Sequence, residues 1–353
     1  MWGSMVRRLA LATALAAAGV PVVVTAQAAP ETVAARALAA AVPAPDGSRA
    51  VAAAANGPGR VIDLTVYSAA MDRPITVAVL PAADPEAPAG SLYLINGVDG
   101  GTDTADWREG SNWLTKTDAI DFFGGAQATI VMPIGGAGTF YTDWQADDPV
   151  TGRHRWRSFL TQELPPIIDS AFHGTGRDAV AGLSMASSAV FRMAQEAPHR
   201  FRMVGSFSGC VRTSDPAGQA MVASIVTARQ GNPINMWGPP GHPAWAANDP
   251  YLQAEKLRGV QVYVSTGNGV PGPLDTLSGP GIAHNPVKLA DQLLIGGVLD
   301  GITVVCTRML RDRLAELDIS ATFDFRAAGT HSWGYWERDM HAFWERARAL
   351  LTP

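Results

Sequence analysis

Ser184 lies in Gly182-Leu183-Ser184-Met185-Ala186, directly after the apolar run Ala179-Val180-Ala181 and directly before a helical stretch. The string reads as a strand, a sharp turn and a helix, with a hydroxyl held at the tip of the turn. It is close to the pattern Gly-x-Ser-x-Gly, with Ala186 in the last place. Such a turn is strained, and a bulky neighbour would collide with the strand or the helix, so the small residues on either side have a steric reason. A glycine-rich strand-to-helix turn with an idle serine is the bland alternative.

Around this element the chain divides into three parts. Arg7 and Arg8, the apolar stretch 9–24 and the small-x-small string Ala26-Gln27-Ala28 read as an export signal, residues 1–28, cut after Ala28. That apolar stretch is too short for a stable membrane span, and no later segment is expected to cross a bilayer. Residues 29–58 are rich in Ala and Pro and hold no aromatic residue, which predicts a flexible spacer unable to offset its ordering entropy, with local helix at the alanines as the alternative. Residues 59–353 suit one large α/β domain. Removing residues 1–28 takes away Arg7 and Arg8 and no acid, so the formal charge of −5 becomes −7. With no basic run, neither nucleic acid nor anionic lipid is an expected partner. Cys210 and Cys306 do not make a metal site. In an exported chain they predict one disulfide, with two buried thiols as the alternative.

Residues 60–68 and 75–80 read as a hairpin, and 92–95 and 128–132 as strands buried on both faces. A helix over 156–172 precedes the elbow strand. A second, from 185 to about 196, ends before Pro198. Strands follow at 201–208, 260–265 and 321–325. Helices are expected at 302–317, with Ile302, Val305, Met309 and Leu314 on its apolar face, and at 332–351. Residues 210–259, rich in Gly, Pro and Trp, predict an irregular excursion over the site. The alternation predicts an α/β fold with a mostly parallel central sheet, helices on both faces and functional groups beyond the strand carboxyl ends.

A serine hydroxyl is a weak nucleophile and needs a base, which in turn needs an orienting acid. In the α/β-hydrolase fold the order is Ser, acid, His. His331, in Gly329-Thr330-His331-Ser332-Trp333 after the last expected strand, is the preferred base over His284 and His341. Asp300 is the best-placed acid, with Asp275, Asp291 and Asp312 as rivals; Asp249 reads as a cap or turn residue. Two backbone N–H groups must meet the tetrahedral oxyanion. Met185 follows the nucleophile, and Val98 lies in the loop Asn96-Gly97-Val98-Asp99-Gly100-Gly101 after an early strand. That loop is not a phosphate loop, since no Gly-Lys-Ser/Thr follows it.

Along most of the expected domain the chain resembles the secreted mycolyltransferases of the antigen 85 group. The strings that carry the resemblance run in order from Leu94-Ile95-Asn96-Gly97 through Phe140-Tyr141-Thr142-Asp143-Trp144 and the serine elbow. They continue through Met236-Trp237-Gly238-Pro239 and Gly267-Asn268-Gly269 to Gly329-Thr330-His331-Ser332-Trp333-Gly334-Tyr335-Trp336. The resemblance implies an α/β-hydrolase-fold acyltransferase that moves a mycoloyl group from trehalose monomycolate to a second one or to a cell-wall sugar. Ser184 would take the acyl group, His331 would be the base, and Val98 and Met185 would frame the oxyanion hole. The family's acid is a Glu, where Asp300 stands here. The family also carries Asp-Gly-Leu-Arg where this chain has Asn96-Gly97-Val98-Asp99, and a Cys where it has Thr266. Asn96, Asp99, Asp143, Trp144, Trp237 and Trp333 are the candidates for holding the sugar, with Trp245 a further tryptophan of the excursion. The expected partners are an acyl-trehalose donor and a sugar acceptor, in the cell envelope or outside it, with no cofactor and no metal. A secreted carboxylesterase and a non-catalytic carbohydrate-binding relative are the alternatives.

Overall fold

The computed structural model describes residues 29–55, 59–104 and 106–352; the expected export signal, residues 1–28, lies outside the described residues. The strands are β1 Arg49–Ala54, β2 Ile62–Ser68, β3 Arg73–Leu80, β4 Ser91–Ile95, β5 Thr129–Pro133, β6 Asp178–Leu183, β7 Phe201–Phe207, β8 Gln261–Thr266 and β9 Thr322–Phe325. They form one sheet in the order β1-β2-β3-β5-β4-β6-β7-β8-β9. β1, β2 and β3 run antiparallel to their neighbours, and the strands from β4 to β9 are parallel. Among the described residues six α-helices run eight residues or longer: α1 Pro30–Ala40, α2 Leu164–Ala171, α3 Ala186–Glu196, α4 Pro216–Ala228, α5 Gly297–Glu316 and α6 Trp333–Leu351.

Both faces of the central strands are covered, which is why they read as continuous apolar runs. In β4, Tyr93 and Ile95 join the core on one face, and Leu92 and Leu94 the core on the other. β6 alternates in the same way, Val180 against Ala179 and Ala181. α3 covers the first face, and α6 covers the second with Met340, Phe343 and Ala347. A Cβ on Gly205 in β7 would stand 2.7 Å from the Phe343 ring, so the missing side chain lets α6 lie close to the sheet.

Residues 29–58 are not a loose spacer where the structure describes them. α1 forms there and buries Ala34 and Ala37, and β1 pairs with the edge of β2, placing Arg49 opposite Tyr67. The spacer expectation weighs side-chain burial alone, while the local helix open to the alanines is realised in α1. Alanine is the strongest helix former, and the open edge of β2 offers backbone hydrogen bonds to any extended chain.

The excursion at 210–259 is helical rather than irregular. α4 begins at Pro216, and two short helices, Pro233–Trp237 and Pro243–Ala247, also start on proline. Asp215 and Asn232 cap the first two by accepting from backbone N–H groups. A proline in the first turn loses no hydrogen bond, so prolines that look like breakers are helix starts here.

The helix expected over 156–172 is interrupted by a π-turn, Phe159–Glu163, just before Pro165 and Pro166, which lack the N–H a regular ladder needs. The helix expected from 302 begins earlier, since Pro286–Asp291 and a π-turn Gln292–Gly296 run directly into α5. Its inward face is also different. Asp300, Val304, Thr307, Leu310 and Leu314 are buried, while Ile302, Val305 and Met309 are exposed. Leu314 alone of the expected apolar face packs inward. The run Pro286–Glu316 is long and apolar enough to cross a membrane by length and composition, contrary to the expectation of no such segment, but its inward face is packed into the domain. Cys210 and Cys306 form a disulfide that ties the chain after β7 to α5.

Candidate active site

The carboxyl ends of β6, β7 and β8 and the chain after β9 converge on Ser184. Its φ of +53° is left-handed, a conformation that a side chain with a Cβ tolerates only under local constraint. The constraint is visible. The Ser184 N–H donates to the Phe207 carbonyl at 2.9 Å, and its own carbonyl accepts from Ser187 N–H at 3.1 Å. A Cβ on Gly182 would lie 2.9 Å from Ala186 Cβ and from Val190 Cγ1, and one on Gly209 would strike Ser187 Oγ at 1.8 Å. Glycines on both sides therefore let strand, turn and helix close around the serine.

His331 Nε2 stands 2.8 Å from Ser184 Oγ, and its Nδ1 stands 2.8 Å from Asp300 Oδ1. An ionised carboxylate only accepts, so Nδ1 carries the proton and Nε2 offers its lone pair to the hydroxyl. Asp300 is fully buried. Its other oxygen accepts from Gly267 N–H at 3.0 Å and Ser208 Oγ at 3.2 Å, with the Arg326 guanidinium 3.9 Å away. Arg326 is itself held by Asp339, whose carboxyl burial pushes up to about 6 while the guanidinium opposes the rise. A Cβ on Gly267 would meet Asp300 Oδ2 at 2.5 Å and the Gly329 carbonyl at 2.3 Å, so this carboxylate needs a glycine beside it. Trp336 presses edge-on to the imidazole, ring centroids 4.8 Å apart.

Two peptide units flank Ser184, Gly97–Val98 and Ser184–Met185. In a trans peptide C=O and N–H point opposite ways. The Gly97 carbonyl is turned into a tight turn, accepting from Gly100 N–H at 3.0 Å, which directs the Val98 N–H away from that turn. The Ser184 carbonyl is held by Ser187 N–H, and this directs the Met185 N–H outward at the start of α3. Gly97 brings the two together: a Cβ there would lie 3.6 Å from Ser184 Cβ.

The rival residues lie elsewhere. Asp275 accepts from Gly272 N–H, Thr330 Oγ1, Tyr335 Oη and Gln292 Nε2, bracing the chain that leads to His331. Asp291 and Asp312 are exposed. Asp249 accepts from the N–H groups of Thr213, Ser214 and Tyr251 and acts as a turn residue. His341 pairs with Asp118 and stacks on Phe122. His284 sits in a loop at φ +57°.

The expected sugar contacts divide. Asn96, Trp144, Trp237 and Trp245 are buried and cannot touch a sugar here. Each spends its polar group inside the domain: Asn96 Nδ2 on the Pro133 carbonyl, Trp144 Nε1 on the Thr139 carbonyl, Trp237 Nε1 on Thr142 Oγ1 and Trp245 Nε1 on the Gly238 carbonyl. Asp143 accepts from Ser158 N–H and Oγ and pairs with Arg157, so it caps the turn at Trp156–Ser158. Asp99 is half-buried beside the Val98 loop and paired with Arg229 just beyond α4; burial raises its pKa against that pairing. Trp333 is partly exposed next to His331 and packs edge-on against Trp113 and Trp336. Ser208 and Arg326, which the sequence did not single out, and Gly267, quoted only for the family resemblance, hold the acid. The only signal for them was position, each at or just past a strand's carboxyl end.

The chain matches the family described as putative esterase over residues 68–345. It is 32% identical over 313 residues to the diacylglycerol acyltransferase/mycolyltransferase Ag85A of Mycobacterium tuberculosis, covering 84% of this chain and 83% of that protein. To Ag85B of Mycobacterium leprae it is 32% identical over 308 residues, covering 84% and 86%. The crystal structure of Mycobacterium tuberculosis MPT51 (FbpC1) superposes with a TM-score of 0.66 at 25% identity, over 83% of this chain and 99% of that one. By this likeness, and by its α/β-hydrolase fold, the chain belongs to the antigen 85 family of acyltransferases.

Proposed function

We propose that the protein is an exported serine acyltransferase that moves a long acyl group from a trehalose glycolipid to a second sugar hydroxyl through an acyl-Ser184 intermediate. The observation that carries this reading is the unbroken series Ser184 Oγ, His331, Asp300 at 2.8 Å and 2.8 Å, on the scaffold of a family whose named members are mycolyltransferases. His331 Nε2 takes the hydroxyl proton as Ser184 Oγ attacks the ester carbonyl. The carbonyl oxygen becomes an oxyanion, met by the N–H groups of Val98 and Met185, each contributing on the order of 3 kcal/mol. Collapse expels the donor sugar, which takes the proton from His331 as it leaves. An acceptor hydroxyl then gives its proton to His331, attacks the acyl-serine and restores Ser184. Each such proton transfer contributes about 10²–10⁴-fold. Arg229, exposed, and Asp99 and Trp333, partly exposed, lie beside this centre and are the side chains offered to a sugar.

Transfer differs from hydrolysis only in what attacks the acyl-serine. Purified protein incubated with an acyl-trehalose donor should yield diacyl-trehalose and free trehalose. Free fatty acid alone would make it an esterase. No product, together with no labelling of Ser184 by a fluorophosphonate, would favour a sugar-binding relative.

A further inference from the structure

Behind the loop that carries Val98 lies a cavity of about 590 Å³, within the size range of small-ligand sites. It opens where two strands part. β3 and β5 stay paired as far as Val77 and Pro133, and the Ile134 N–H still donates to the Thr76 carbonyl at 2.9 Å. The chain then turns away at Gly135 and Gly136, whose φ values of +119° and +81° favour glycine. Gly135 N–H donates to the Gly100 carbonyl at 2.8 Å and Gly138 N–H to the Val98 carbonyl at 3.0 Å. The cavity wall is thereby tied to the Val98 loop.

The charge of this cavity is the reverse of the molecule's. The chain has a formal net charge of −5, yet the described lining holds Arg73 and Arg229 and no carboxylate. Arg229 is exposed and already paired with Asp99. Arg73 is partly buried and has no such pair. Its Nη2 reaches only Met71 Sδ, at 3.8 Å, and its Nε is buried without a partner among the described residues. Burial lowers its pKa, and no neighbouring carboxylate opposes the fall. A charge withdrawn from water is costly unless an opposite charge meets it, so an open cavity at an unpaired guanidinium points to an anionic occupant. Thr102 and Thr104 also line the cavity. Their hydroxyls donate to the Asp99 and Asp106 carbonyls and keep lone pairs to accept from a ligand hydroxyl.

We propose that this cavity binds a sugar carrying an anionic group, a phosphate or a carboxylate, with the anion on the Arg73 guanidinium and the sugar hydroxyls on the threonines. Both anions present paired oxygens that match the guanidinium fork. None of Ser184, His331 and Asp300 lines the cavity, so the site is separate from the acyl-transfer centre. Arg229 belongs to its lining and is also offered to a sugar beside Ser184, so the two sites adjoin. Binding here does not rest on the acyltransferase reading.

The test is titration calorimetry of the full chain with glucosyl phosphate, glucuronate, glucose and inorganic phosphate. At about 0.1 M salt at least one anionic sugar should bind at least about tenfold more tightly than glucose or inorganic phosphate. The tighter of the two identifies the anion. Its binding should weaken at about 0.5 M salt. Arg73→Gln should lower that affinity at least about tenfold, and Arg73→Lys, which keeps the charge without the fork, should lower it less. A parental rate of Ser184 labelling by a fluorophosphonate would show that each variant is folded. In the parent, the bound sugar should slow phenylglyoxal modification of Arg73, read by peptide mass spectrometry, which needs no variant. Four results would overturn the proposal: no binding of either anionic sugar, unchanged affinity in folded Arg73→Gln, no protection of Arg73, or inorganic phosphate bound as tightly as the sugar. Ser184→Ala should bind as the parent does, so a failure of the acyltransferase reading would leave this result readable.

Discussion

At the scale of single residues, the site rests on how each polar atom is occupied. Asp300→Asn keeps the side-chain volume but exchanges an acceptor for an amide. With one oxygen still drawn to Gly267 N–H and Ser208 Oγ, the amide NH₂ would face His331 Nδ1. That imidazole would then carry its proton on Nε2 and donate to Ser184 instead of accepting from it. We expect acyl-transfer kcat to fall by about 10³–10⁴-fold, and that of Ser184→Ala by at least about 10⁴-fold, with both proteins folded by circular dichroism. Near-parental activity in Asp300→Asn would remove the acid role from this residue. Ser184 and His331 could be chosen from motif and order, and Asp300 among its rival carboxylates with the help of the family resemblance. The four buried sugar candidates show the limit of that method. A tryptophan in a glycine- and proline-rich stretch looks like a sugar platform until its ring is seen inside the core with its N–H already bonded.

Whole elements were legible where their period was unambiguous. β4, β5 and β6 are short apolar runs, and an apolar run between turns has few other uses. α1 was legible only as a helix open to the alanines, since alanine gives no period, and β1 was not, because an edge strand is selected by the backbone beside it. The structure therefore predicts a consequence for the segment before residue 55. Deleting residues 29–54 would expose the β2 edge and uncover the surface that Ala34 and Ala37 bury. A loss of thermal midpoint of at least about 5 °C is expected, with faster aggregation on heating. An unchanged midpoint in differential scanning calorimetry would return this segment to the status of a spacer. The misread face of α5 has a different origin. Two sets of positions in that helix share the helical period, and the polar set turns inward because Asp300 and Thr303 have hydrogen-bond partners there.

For the whole molecule, acid stability offers a test independent of catalysis. His154 is buried, packs at a tilt against the Trp144 ring and has Nδ1 without a partner among the described residues. Burial, with the neighbouring Arg73 cation, pushes its pKa down to about 4. In the unfolded chain a histidine titrates near 6.5. The unfolded state therefore binds the extra proton between about pH 6.5 and about pH 4, and the stability present above that window is lost as the pH falls through it. The raised Asp339 carboxyl acts in the opposite sense over this window and does so in both proteins, so the test is the difference: between about pH 7.5 and about pH 4.5 the urea midpoint of His154→Gln should gain on that of the parent. Parallel curves for the two proteins would show that His154 is not held neutral.

The order of the strands from β2 to β9, the turn that raises Ser184 and the identity of its imidazole partner were present in the linear chain. They depend on local sterics and on the succession of elements, which a sequence records directly. The occupants of the second ring around the acid, the burial of the tryptophans, the recruitment of the alanine-rich segment and the choice of which helix face meets water arose only on packing. Each of these is settled by competition among distant groups for the same space and the same hydrogen bonds, and no stretch of the chain read by itself contains both competitors.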